Sequence, residues 1–179
     1  MKKAISSPVR RYTVDAVLLA SALILSYIES AAAPLIPVPI PGFKLGLANI
    51  TVMFAVYTVG TLDGLLISLA RTALSSILFG SVSSFMFSVA GAVLSFAALC
   101  LCKYYIKDRL SVYGISMMCA AFHNIGQVLA ASAVMRTMSI FAYLPYLLLA
   151  SIPCGLLTGL IAGLLLKRED IRRIAACEK

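Results

Sequence analysis

The feature that most constrains this chain is a succession of apolar runs, most of them near bilayer length and separated by only a few residues. A transmembrane helix needs about 20 mostly apolar residues at a rise of about 1.5 Å each. Reading the runs and their Gly, Pro and polar breakers gives six predicted helices, at about 13–32, 44–59, 62–79, 82–102, 112–134 and 141–166. Composition agrees: 61% of the 179 residues are hydrophobic and 12% are charged, where an average soluble domain carries roughly 25% charged residues. A soluble domain of this size cannot hide that much apolar surface. The expected fold class is therefore an all-α integral membrane protein, one transmembrane domain over 1–179 without linker or internal repeat.

The formal charge of +8 sits at the ends of the runs. Lys2, Lys3, Arg10 and Arg11 precede the first; Lys103, Lys107 and Arg109 interrupt the middle; Lys167, Arg168, Arg172 and Arg173 follow the last, in a basic tail over 167–179. Counted by the positive-inside rule, this predicts six transmembrane helices with both termini cytoplasmic, leaving Lys44 and Arg136 outside. A nucleic-acid footprint would be a contiguous basic patch, so no nucleic-acid partner is expected. The basic start and Ser30-Ala31-Ala32-Ala33 also fit a secretory signal, but Glu29 just before the small residues and Pro34 just after them argue against cleavage. Five cysteines without CxxC spacing argue against a disulfide framework or a zinc site.

Between the first two runs lies IPVPIPGFKLGLANI, residues 36–50. Prolines 37, 39 and 41 forbid a regular helix, and Lys44 and Asn49 then head an apolar run. Non-helical backbone at membrane depth is tolerable where protein buries it or where it lines a wet cavity. A Pro-rich outer loop is thus expected between helices one and two. Other costly residues fall at similar depth. Arg71 lies about 14 Å from the inner end of helix three, and His123, Asn124 and Gln127 begin about 16 Å from the inner end of helix five. Glu29 sits near the outer end of helix one.

Two readings of this set stand side by side. The groups satisfy one another, Arg71 with Glu29 or Asn49 with His123, and fix helix register; or they line a cavity that opens outward. The second is preferred because donors outnumber the one acid, and such donors suit an anionic or carbonyl-rich ligand. The remaining acids, Asp15, Asp63, Asp108, Glu169, Asp170 and Glu178, fall at span ends or in the tail, with Asp63 placed to cap helix three.

The chain has no P-loop signature, no HExxH, no GxSxG and no paired aspartate-rich clusters to hold magnesium on a diphosphate. It is expected not to be an enzyme and to need no cofactor or metal. Ala16 and Ala20 share a face of helix one, and Gly155, Gly159 and Gly163 share one on helix six; such faces let helices approach closely in lipid.

The segments PGFKLGLANI, LISLARTALSSILFG and FHNIGQ, within a six-run chain of this length, resemble bacterial membrane proteins grouped as heptaprenyl diphosphate synthase component I, also called the Gx transporter family. The resemblance covers most of 13–166. That family is similar to the substrate-binding S components of energy-coupling factor (ECF) transporters, six-helix proteins of the bacterial cytoplasmic membrane. The resemblance implies an outward-facing pocket for a small, anionic or flavin- or vitamin-like molecule, with Lys44, Asn49, Arg71, His123, Asn124, Gln127 and Glu29 as ligand-binding residues. It also implies that Ala16 and Ala20 dock a coupling subunit driven by separate ATPases. The alternatives are a non-catalytic accessory subunit of a polyprenyl diphosphate synthase or of a quinone- or flavin-related redox system, and a purely structural partner in a membrane redox complex.

Overall fold

The computed structural model describes residues 8–32, 46–79, 82–106 and 110–168. They form α1 (Pro8–Ala32), α2 (Asn49–Thr58), α3 (Thr61–Phe79), α4 (Val82–Leu101), α5 (Val112–Met135) and α6 (Leu144–Lys167). A π turn, Cys102–Ile106, prolongs α4, and a 3-10 turn, Met138–Tyr143, leads into α6. Five of the helices, α1 and α3 to α6, are long and apolar enough to cross a bilayer, which makes this a multi-pass membrane protein.

The second helix departs from expectation. Within the described part of the run predicted over 44–59, the helix extends from Asn49 to Thr58, 10 residues, or about 15 Å against a hydrocarbon core of about 30 Å. A turn precedes it. Gly46 sits at φ 77°, where glycine carries no side-chain penalty, and its carbonyl accepts from the Asn49 amide at 2.9 Å. Lys44, Phe43 and the three prolines lie outside the described residues.

Cross-contacts fix the direction of each helix. Arg11 on α1 donates from Nη2 (2.6 Å) and Nε (3.1 Å) to Oδ1 of Asp63, in the first turn of α3. Near the far ends of the same helices, the Tyr27 and Phe79 rings lie 5.2 Å apart. Helices α1 and α3 are therefore parallel, and the chain returns between them through the Gly46 turn and α2. From α3 onward neighbours are antiparallel: Thr61 bonds Tyr104 at the base of α4, Gly91 of α4 meets His123 and Gln127 of α5, and Asn124 of α5 bonds Leu147 of α6.

Two expectations at the Arg11 end are corrected. The described part of helix α1 runs from Pro8, five residues before the apolar run, and proline is tolerated in a first helical turn. Arg10 and Arg11 are therefore on the helix, not ahead of it. Asp63 is no solvated cap: it is 5% exposed and paired to Arg11. Removing the guanidinium leaves a buried carboxylate without its main partner, which destabilises more than losing an exposed pair. Arg11→Met is expected to lower the melting temperature of the detergent-solubilised protein by a few degrees, and the swap Arg11→Asp with Asp63→Arg to recover part of the loss.

Glycines set the closest approaches. A Cβ on Gly126 would lie 2.6 Å from the Ala90 carbonyl oxygen, and one on Gly155 would lie 2.5 Å from the Met117 Cα. Both α4–α5 and α5–α6 are thus backbone-to-backbone packings, as expected where lipid supplies no hydrophobic drive and van der Waals contact must hold helices together. Ile50, Val52, Met53 and Val56 of α2 pack with Leu99, Cys102, Ile115, Cys119 and Ala162 into the core. The short helix is thereby held inside the bundle.

Candidate functional site

Among the described residues, sixteen polar or charged ones are buried within this bundle, a large number for a solvent that satisfies no polar group. Several hydroxyls among them are satisfied locally. Thr72 donates to Ser68 O (2.7 Å) and Thr158 to Cys154 O (2.9 Å), the backbonding that makes serine and threonine inexpensive in membrane helices.

Arg71 is different. It stands in the third turn of α3, is 7% exposed, and its Nε has no hydrogen-bond partner. An ionised group so placed needs compensating charge or hydrogen bonds. Glu29 of α1 lies within electrostatic reach of it, as it does of Cys154 on α6. Yet Glu29, 5% exposed, is already engaged: its Oε1 accepts the Gly46 amide at 2.5 Å, tying α1 to the turn that opens α2.

The other expected residues are distributed among distinct environments. Asn49 faces a cavity of about 20 Å³ at the meeting of α2 to α6, with Ser68, Ser95, Ser116 and Thr158 around it. That is room for about one water. The Ser116 and Thr158 hydroxyls lie 2.7 Å apart beside it. His123 and Gln127, four apart on α5, both press on α4 where Gly91 stands: a Cβ there would meet His123 O at 2.8 Å and Gln127 Cγ at 2.9 Å. The glycine is required by its neighbours. Asn124 donates from Nδ2 to Leu147 O at 3.0 Å, clasping α6. Gln127 also faces a larger cavity, about 130 Å³, lined by Phe87, Val128, Ala131, Met135, Ile140, Tyr143 and Leu147. Lys44 lies outside the described residues.

The structure thus brings Glu29 near Arg71 and sets His123 beside Gln127. It assigns Asn49 to a central cavity and gives Asn124 a bond between helices. Sequence reasoning missed the serines and threonines around Asn49, since hydroxyls barely perturb hydropathy. One of them belongs to a visible pattern: Ser68, Thr72 and Ser76 recur every four residues on the buried side of α3.

A family model described as heptaprenyl diphosphate synthase component I matches residues 18–165. The chain belongs to that family. The match spans α1 from Leu18 to α6 at Leu165, so the heptaprenyl diphosphate synthase component I region holds Glu29, Asn49, Arg71, His123, Asn124 and Gln127, with Ala20 but not Ala16. Searches of curated proteins and of solved structures returned no match.

Proposed function

We propose that this chain is the substrate-capturing membrane subunit of an ECF-type transporter, with no catalytic activity of its own. It would cross the bacterial cytoplasmic membrane six times with both termini inside, taking a small anionic or vitamin-like molecule from the outer side. The observation that carries this reading is Arg71, a guanidinium buried near mid-helix whose nearby acid already holds the Gly46 amide. An anionic ligand would supply the missing charge and hydrogen bonds.

The proposed mechanism follows from the same contacts. The ligand enters from the outer side, where the sequence places Lys44 among its binding groups, and its anionic group docks on Arg71. Glu29 feels the change in charge. Because its carboxylate holds the Gly46 turn, binding is relayed at once to the segment entering α2 and to α1. Helix α1 is suited to pass the signal on: 17% of its span is buried, against 39–44% in the other long helices, and both Ala16 and Ala20 are exposed. That face would dock the coupling subunit, with ATPases supplied by partners.

Mass spectrometry of small molecules retained by the purified protein tests capture. Ala16→Leu and Ala20→Leu are expected to leave retention unchanged and to prevent copurification with a coupling subunit. The family description favours a second reading, an accessory subunit of a polyprenyl diphosphate synthase. Stoichiometric copurification with such a synthase, without retained small molecule, would decide for it.

A further inference from the structure

The cavity of about 130 Å³ lies at the end of the bundle away from the Arg11–Asp63 pair, between α4, α5, the 3-10 turn and the start of α6. Phe87, Val128, Ala131 and Leu147 make its wall apolar, and exposed Tyr143 stands at its rim. One amide faces it. Gln127 is 7% exposed and, among the described residues, its side chain makes no hydrogen bond, whereas Asn124, one turn below, is bonded to Leu147. A polar side chain on an otherwise apolar wall is available to a hydrogen-bonding atom that enters the cavity.

We infer that this cavity is a subsite for one ring or one branched five-carbon group of the captured molecule, with Gln127 hydrogen-bonding its polar substituent. The assignment rests on the reading of the chain as a capture subunit and narrows its substrate class. An apolar cavity of about 150 Å³ accommodates benzene, whereas a complete drug-sized ligand needs about 300–1,000 Å³. A single ring or an isoprene-sized unit fits; the three fused rings of a flavin do not. A phospholipid acyl chain is too long for the space and would leave the Gln127 amide facing hydrocarbon. The captured molecule is thus small and anionic, with one compact apolar group that carries a hydrogen-bonding atom.

The test uses two water-soluble fragments, phenol and 3-methyl-3-buten-1-ol, with the full chain in lipid nanodiscs, read by saturation-transfer NMR. At least one fragment is expected to bind saturably at millimolar concentration. Binding should weaken at least tenfold in Ala131→Phe, which fills the cavity, and in Gln127→Leu, which removes its amide. Leu164→Ala, at an exposed position near the opposite end of α6, should leave it unchanged. Ala131→Leu provides a milder filling if the phenylalanine disturbs folding. Unsaturable partitioning, or equal binding in wild type and both filled variants, overturns the subsite. So does a stoichiometric phospholipid that the filled variants release. If Arg71→Met keeps the native small molecule while Ala131→Phe loses the fragments, the role of Arg71 fails and the subsite stands.

Discussion

Arg71→Met is expected to abolish retention of the captured molecule while leaving the bundle at least as heat-stable as the wild type. The two halves of this result have one cause. In the unliganded protein the guanidinium is buried with its Nε unpartnered, so an apolar side chain of similar length removes a desolvation cost. Exchanges of buried ionic groups for well-packed apolar ones are often neutral or stabilising by about 1–4 kcal/mol. In the liganded protein the same exchange deprives an anion of a charge-assisted bond, and truncating one partner of a buried charged pair costs about 2–5 kcal/mol. That corresponds to a loss in affinity of roughly 30-fold to several thousand-fold. Mass spectrometry of retained ligand reads one half, and a melting curve by fluorescence-detected size exclusion reads the other. A variant that unfolds would make Arg71 a structural partner of Glu29; one that keeps its ligand would remove it from the site.

The largest effect on stability is expected at Gly155. A Cβ there would lie 2.5 Å from Met117 Cα and 2.9 Å from its backbone nitrogen, so α5 and α6 must separate along their length to admit it. At Gly163, on the same face of α6, the nearest atom would be a Val112 methyl at 3.8 Å, ordinary contact. Substituting alanine at Gly155, Gly159 and Gly163 should therefore give a steep gradient. Gly155→Ala should cost about 3 kcal/mol or more, the upper range for overpacking. Gly159→Ala should be intermediate and Gly163→Ala close to neutral, because the Cβ contacts at these sites are 3.0 and 3.8 Å. Yields of monodisperse protein and melting temperatures would measure the gradient. A flat response would mean that the α5–α6 packing adjusts freely.

Helices were legible in the sequence because lipid leaves the backbone few alternatives, and long apolar runs therefore map onto them. The limits of the two first helices were not. Hydropathy ignores the polar helical turn over Pro8–Arg11, and it reads straight through Gly46, whose left-handed backbone carries no hydropathic mark. The burial of Arg71, His123, Asn124 and Gln127 was legible because each is too expensive to place there by accident. Their partition was not. That Asn124 clasps Leu147 while Gln127 faces an apolar cavity depends on how α5 is rotated against α4 and α6. Asp63 was misread for a related reason: its partner Arg11 is 52 residues away, and only the parallel course of α1 and α3 brings them together.

That parallel course has a mechanical consequence. Helix α1 is fastened by polar bonds near its two ends, Arg11 to Asp63 at one and Glu29 to the Gly46 amide at the other, while the stretch between them carries exposed Ala16, Val17, Ala20 and Ile24. A rod fixed in this way has two pivots. Releasing the Glu29 clasp lets it swing about Arg11 and sweeps the far end through the widest arc; releasing Arg11 does the reverse. Ala16 lies nearer Arg11 and Ala20 midway between the pivots, and these positions decide how far that face travels in each case.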